Sequence, residues 1–133
     1  MVDTNNMRWK QRFENFEKSY KVFLSVLEIE NPNIAEKMGL IHSFEVLFEL
    51  AWKTMKDYLF MLGYDEKSPR DTIKQAFQNN IVTDGHIWME ALNSRNETSH
   101  LYDDFKVQEI EMKIRTEYSI ALAELYKYFN RVK

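Results

Sequence analysis

The chain has 133 residues with 18 Lys or Arg against 21 Asp or Glu, a net charge of -3. This balance excludes a global attraction to nucleic acid, so that any contact with RNA or DNA has to be local. The absence of cysteine excludes a disulfide framework and thiolate metal sites and suits a reducing compartment, while three glycines and two prolines favour long helices.

The length fits a single domain over residues 1-133. Such a domain has a hydrophobic core large enough to be stable without disulfides or a bound metal. No apolar run reaches the roughly 18 residues of a membrane span. The polar start, Met1 to Asn6, lacks the basic and apolar regions of a secretory signal. We therefore expect a cytoplasmic protein.

The first two predicted elements are long helices. A stripe with helical spacing predicts a helix over about residues 6 to 29, and consists of Trp9, Phe13, Phe16, Tyr20, Phe23 and Leu27. Pro32 ends that helix because its ring disfavours a helical residue before it. Asn33 and Glu36 resemble a capping pair for a second helix, which runs from about 34 to 62 and ends at Gly63.

The second helix is apolar on more than one side. Ile41, Phe44, Phe48, Met55 and Leu59 form one stripe, and Leu40, Leu47, Leu50 and Thr54 lie beside it. So wide an apolar face indicates burial against two neighbours. One neighbour is expected to be a second copy of the chain, and we predict a homodimer.

The third helix is predicted to be broken and the fourth to be long. Ser68 and Pro69 begin a short helix that ends near Gln78, and Asp84-Gly85 opens another that carries Trp88, Ala91 and Leu92 on one face. Asp103 or Asp104 caps the last helix. Its predicted buried stripe is Val107, Ile110, Ile114, Tyr118, Ala121, Leu125 and Phe129, with Leu122 and Val132 beside it. The short connections predict an all-α, up-and-down four-helix bundle of four to five helices.

The polar segment from Ser94 to Asp104 contains the candidate site. Arg95 and His100 would not face alike on an unbroken helix, since five residues turn about 500°. A helix end between them lets both side chains enter one cleft. Histidine moves protons near neutral pH and guanidinium binds phosphate, so this pair suits phosphate chemistry.

A purely structural interpretation of the same segment stays open. Arg95 can cap helix carbonyls or pair with Asp103 or Asp104, and His100 can be a hydrogen-bonded loop residue. Tyr102 can be a packed loop aromatic.

Other polar groups give weaker signals. His42, Glu45 and Glu49 lie on one helix, but the order is the reverse of a bundle di-metal motif and occurs once, so no metal site is expected. An ion pair between Glu49 and Lys53 one turn apart explains Glu49. Neither a glycine-rich phosphate loop nor a nucleotidyltransferase active-site motif occurs, and no cofactor is expected.

Four segments of the sequence form a recognisable combination. They are Phe44-Glu45-Val46-Leu47-Phe48-Glu49-Leu50-Ala51-Trp52-Lys53, Ser68-Pro69-Arg70, Ala76-Phe77 and Arg95-Asn96-Glu97-Thr98-Ser99-His100-Leu101-Tyr102. Together these segments resemble the nucleotidyltransferase substrate-binding proteins of the HEPN superfamily. They occur in the right order over nearly the whole chain. The resemblance implies a helical bundle that forms homodimers and binds a separate minimal nucleotidyltransferase.

The resemblance also implies roles for individual residues. Arg95 and His100 match the superfamily's Arg-x(4 to 6)-His motif of metal-independent ribonucleases, with Asn96 as the polar residue after the arginine. By analogy, His100 assists proton transfer during 2'-hydroxyl attack and Arg95 stabilises the phosphorane. Tyr102 occupies the position at which HEPN toxins accept a nucleotide that silences them. Two functions follow: a binding or substrate subunit for the transferase, or a toxin-like ribonuclease that acts on RNA.

Overall fold

A computed structural model describes residues 3–98 and 103–133. Its helices are α1 (Thr4–Leu27), α2 (Ile34–Met61), α3 (Pro69–Gln78), α4 (Gly85–Glu97), α5 (Asp104–Lys113) and α6 (Ser119–Val132), with a π-helical turn (Ile114–Tyr118) joining the last two. Within these two ranges all regular structure is helical, which confirms the predicted all-α class. No helix in the described ranges is long and apolar enough to cross a membrane.

The ends of α1 and α2 follow from local capping chemistry. The Asp3 carboxylate accepts hydrogen bonds from the backbone N–H groups of Asn5 and Asn6, so α1 begins two residues before its predicted start. Asn33 and Glu36 form the predicted capping box at the start of α2. Gly63 has φ of 104°, a left-handed conformation that glycine adopts without a Cβ penalty and that ends the helix.

The predicted break in the third helix is confirmed. The Ser68 hydroxyl accepts a hydrogen bond from the Asp71 N–H at 3.1 Å, and Pro69 occupies the first turn of α3. Asn80, at φ 60°, turns the chain after α3. The Asp84 side chain then caps α4 by accepting from the Ile87 N–H at 3.2 Å.

The π turn alters the buried stripe of the last helix. The buried residues are Val107, Ile110, Ile114, Tyr118, Leu122, Leu125 and Phe129. Ala121 is only partly buried, so its predicted place in the stripe was wrong and Leu122 takes it. A π turn contains one residue more than the equivalent α-helical turn, and this extra residue shifts the face of everything that follows.

The helices form an up-and-down bundle around one aromatic-rich core. Phe13 packs against Phe129 and Tyr20 packs against Tyr126, so α1 runs antiparallel to α6. The Arg12–Asp57 pair joins the first half of α1 to the end of α2, which together with the short connection between these helices indicates that they are antiparallel too. The Ser94–Tyr118 hydrogen bond joins α4 to the π turn. The Trp9 ring packs edge-on against the Tyr58 ring, with centroids 4.9 Å apart. The predicted α1 stripe therefore serves as core.

Candidate functional site

Arg95 lies in the last turn of α4, next to the end of the helix. The Thr98 hydroxyl donates to the Arg95 carbonyl oxygen at 2.7 Å, and Thr98 is the residue that ends α4. The predicted helix end between Arg95 and position 100 is thus present. His100 and Tyr102 lie outside the described residues, so their placement in a shared cleft stays a prediction.

Glu49 of α2 holds the Arg95 guanidinium in place. Arg95 Nη2 lies 3.1 Å from Glu49 Oε2, and the Trp52 indole N–H donates to the same oxygen at 3.0 Å. The ion partner of Arg95 is therefore Glu49 and not Asp103 or Asp104, and Glu49 binds across the bundle where a pair with Lys53 was expected. Sequence spacing could not show this, because the two helices meet only in the folded chain.

This arrangement presents a preorganised but partly neutralised cation. The Arg95 side chain is 36% exposed and that of Glu49 is 34% exposed, so both groups still contact water. The ion-pair contact engages one nitrogen, which leaves further guanidinium N–H donors for an incoming phosphate. The geometry therefore permits anion binding by Arg95, at the cost of competition with Glu49.

Polar groups flank the segment on both sides. Asp103 caps α5 by accepting from the Lys106 N–H at 2.8 Å, as predicted for one of the two aspartates. The Lys106 ammonium lies 3.7 Å from the Glu97 carboxylate, an ion pair between the start of α5 and the end of α4. Asn96 is exposed beside Arg95. The Lys106–Glu97 pair brings the start of α5 close to the end of α4, the two helices that the motif segment (Arg95 to Tyr102) connects.

A polar crevice of about 150 Å³ lies between α4 and α5. At its base the hydroxyls of Ser94 and Tyr118 are 2.7 Å apart and buried. Burial is the main reason that the pKa of Tyr118 is raised, and the Ser94 hydrogen bond partly opposes it. The crevice rim carries Glu90, Glu97, Glu109 and Lys113. Its acidic balance makes it a poor site for a phosphate.

Other charged side chains outside the candidate site have structural partners. Arg12 and Arg8 lie 3.0 and 3.6 Å from the buried Asp57 carboxylate, which uses them to bind α1 to α2. His86 Nε2 lies 2.9 Å from the Glu90 carboxylate on α4. No group of three or more His, Asp or Glu side chains in the described ranges is arranged to hold a metal ion.

Comparisons with known proteins point to one family. A family model described as nucleotidyltransferase substrate binding protein like matches residues 11–131. A Thermus thermophilus protein superposes with a TM-score of 0.79 at 22% identity, covering 89% of this chain and 98% of its own. A Haemophilus influenzae protein, described as revealing the fold of a substrate binding domain of a nucleotidyltransferase, superposes with a TM-score of 0.66 at 22% identity over 95% of this chain and 98% of its own. None of the curated proteins is significantly similar to this chain.

Proposed function

The chain belongs to the family of nucleotidyltransferase substrate-binding-like proteins, and we propose that it is the binding and substrate subunit of a two-protein module with a separate minimal nucleotidyltransferase. The observation that carries this proposal is the match of the family over residues 11–131, which spans the whole motif segment. The proposal further places the chain in the HEPN superfamily as a homodimer that acts in the manner of a toxin paired with its antitoxin transferase.

In the proposed reaction, Tyr102 is the nucleotide acceptor. Its phenolic oxygen attacks the α-phosphorus of a nucleoside triphosphate held by the partner, a new O–P bond forms, pyrophosphate leaves and the phenol proton is lost to a base. Arg95, fixed by Glu49, supports this by binding phosphate oxygens near the acceptor. Neutralising phosphate charge is what a preorganised guanidinium does well.

Intact-mass spectrometry tests the substrate role. The chain is incubated with the minimal nucleotidyltransferase from the same genome, ATP and Mg²⁺, and its mass is expected to rise by one or more nucleotidyl groups. Tyr102→Phe should block the gain, whereas Tyr64→Phe, an exposed tyrosine on a different loop, should not. Unchanged mass of the wild type with an active transferase would refute the acceptor role.

The alternative function is a metal-independent ribonuclease. The observation that favours it is the partly exposed Arg95 guanidinium at a helix end, where it can meet a phosphodiester. His100 would transfer the proton of the attacking 2'-hydroxyl and Arg95 would stabilise the phosphorane, giving a 2',3'-cyclic phosphate and a free 5'-hydroxyl.

Expression of the chain alone tests the ribonuclease alternative. The wild type is expected to arrest growth when expressed and, as purified protein, to cleave RNA in the presence of EDTA. The Arg95→Ala and His100→Ala proteins should lose both activities while their helical circular dichroism is unchanged. A wild type that leaves RNA intact removes the alternative and leaves the binding-subunit proposal unaffected.

A homodimer places two motif segments at one interface. The α2 stripes that predicted a second copy are already buried within one chain, apart from the partly buried Leu50, so that face does not mark a dimer contact. The support for a second copy is instead Phe105, which is 74% exposed on the first turn of α5, immediately after the motif segment. Aromatic residues are enriched at the centres of protein interfaces, so this exposed ring beside the candidate site is a candidate anchor. The proposed dimer therefore buries Phe105 and completes the site with residues from both copies.

A further inference from the structure

A second cavity, of about 280 Å³, lies at the opposite end of α4 from Arg95. It opens between the α3–α4 connection, residues 79–84, and the outer face of α6. Trp88 in the first turn of α4 lines it, seven residues before Arg95, or about 10 Å along the helix axis. The cavity is therefore separate from the candidate site and from the proposed dimer contact.

The floor of the cavity is apolar. Trp88, Val82 and Leu125 line it and are each at most 4% exposed, so they belong to the packed core and are held rigidly. Ligand sites combine such apolar floors with a few fixed polar groups, usually in volumes of roughly 300 Å³ or more. At about 280 Å³ this cavity lies just below that range, and because a cavity of roughly 150 Å³ already holds benzene, it has room for one flat ring with a small polar group.

The rim of the cavity is cationic. Lys127 and Arg131 follow each other by one turn on α6, and neither pairs with a carboxylate within the described ranges. The Arg131 guanidinium lies over the Tyr128 ring, 5.3 Å from its centroid, which orients it at the cavity mouth. One carboxylate, Glu124, also lines the rim, but it already accepts a hydrogen bond from the Thr83 hydroxyl at 3.2 Å.

We propose that this cavity binds a small organic anion, a single flat apolar ring bearing a phosphate group. The ring rests on Trp88, Val82 and Leu125, and the phosphate meets Lys127 and Arg131. The net rim charge of one positive unit attracts the head group, while Glu124 weakens binding. This site is independent of the module proposed above, and its test does not involve the transferase.

Phenyl phosphate is the probe, with inorganic phosphate and phenol as its two halves. Titrations of the full chain followed by ¹⁵N–¹H NMR should show saturable shifts of the Trp88 indole and Thr83 amide, with a dissociation constant on the order of 1 mM for so small a ligand. Each half should bind at least roughly fivefold more weakly. Inorganic phosphate that binds as tightly as phenyl phosphate would overturn the proposal, because the floor would then contribute nothing.

Variants of opposite sign make the test specific. Lys127→Gln with Arg131→Gln should weaken phenyl phosphate at least roughly fivefold, and Glu124→Gln should strengthen it by roughly twofold or more. The matched control, Lys53→Gln with Lys56→Gln on α2, should leave the affinity unchanged. Equal weakening by the control pair, or no gain with Glu124→Gln, contradicts the proposed site.

Discussion

One carboxylate oxygen of Glu49 receives both the Arg95 guanidinium and the Trp52 indole N–H. This links the motif arginine to α2 and sets its direction before any ligand arrives. Partly exposed ion pairs of this kind contribute roughly 0 to 1 kcal/mol to the free energy of unfolding. The main effect of the Glu49–Arg95 pair is therefore on the orientation of the guanidinium. In the proposed site Glu49 is a positioning residue, and its negative charge partly neutralises the Arg95 guanidinium.

Glu49→Gln should raise the affinity of the chain for single-stranded RNA a few-fold at low salt. Glutamine still accepts the Trp52 hydrogen bond, whereas the competing negative charge beside Arg95 is removed. Fluorescence anisotropy with a labelled oligonucleotide measures the change. Glu45→Gln, one turn earlier on α2, is the charge-matched control, and an equal effect of both variants would mean that only net charge matters.

The raised pKa of Tyr128 leads us to expect a loss of stability at alkaline pH. Burial first, and then the Tyr58 hydroxyl, raise the pKa of Tyr128 to about 12. The pKa of Tyr128 in the folded chain lies above its value of about 10 in the unfolded chain. The protonated hydroxyl therefore contributes fully to the free energy of unfolding below about pH 10, and this contribution is lost as pH rises toward about 12. Urea unfolding at about pH 9 and about pH 11 should show a smaller alkaline loss in Tyr128→Phe than in the wild type.

The exposed Tyr64 provides the control for this measurement. Tyr64→Phe should keep the alkaline loss of the wild type. A Tyr128→Phe protein with the same loss between the two pH values would show that Tyr128 titrates alike in the folded and unfolded chain.

Among the elements, the π turn is the one that regular periodicity does not predict. The buried stripe advances by four residues three times in succession, from Ile110 to Ile114, Tyr118 and Leu122. A regular helix alternates advances of three and four to stay on one face. One extra residue in the π turn accommodates the excess and keeps Leu125 and Phe129 in the core.

Deletion of Thr116 should therefore be tolerated. Thr116 is an exposed residue inside the π turn, and its removal leaves a regular helix with the same buried side chains at alternating spacings. Thermal unfolding followed by circular dichroism should stay cooperative, with a midpoint lowered by a few degrees. Deletion of Ala123, in the regular α6, is the control and should lower the midpoint far more, since it rotates Leu125 and Phe129 out of the core. Equal losses would contradict the π-turn account.

The helix ends were largely predictable because they depend on residues close in sequence. Asn33 with Glu36, Ser68 with Pro69, and Gly63 each act on their own helix terminus. The sequence predicted neither the π turn nor the ion partner of Arg95, and both failures have physical reasons. The π turn is a property of packing along a whole helix, and the partner of Arg95 comes from a helix that is distant in sequence.

At the scale of the whole molecule, the described surface of α5 and α6 carries large apolar side chains away from the core. Phe105 is 74% exposed and Ile120 is 57% exposed. Phe105 adjoins the motif segment, while Ile120 lies roughly 22 Å further along the helix, by a rise of about 1.5 Å per residue. Position relative to the motif distinguishes the proposed dimer contact from an ordinary exposed residue.

Phe105→Asp should convert the proposed homodimer into a monomer. A charge at the centre of an apolar contact is costly to desolvate, whereas it costs little on a free surface. Light scattering coupled to gel filtration measures the mass, and circular dichroism checks the helices. Ile120→Asp is the matched control and should remain dimeric. A dimeric Phe105→Asp protein would place the interface elsewhere.

The central claim, that this chain is the binding subunit of a proposed module with a separate minimal nucleotidyltransferase, is tested most directly by gel filtration of the two purified proteins together. The account predicts one complex that contains both chains at micromolar concentrations and survives dilution into moderate salt. Separate elution of two folded proteins, with no shift of either peak, would contradict it.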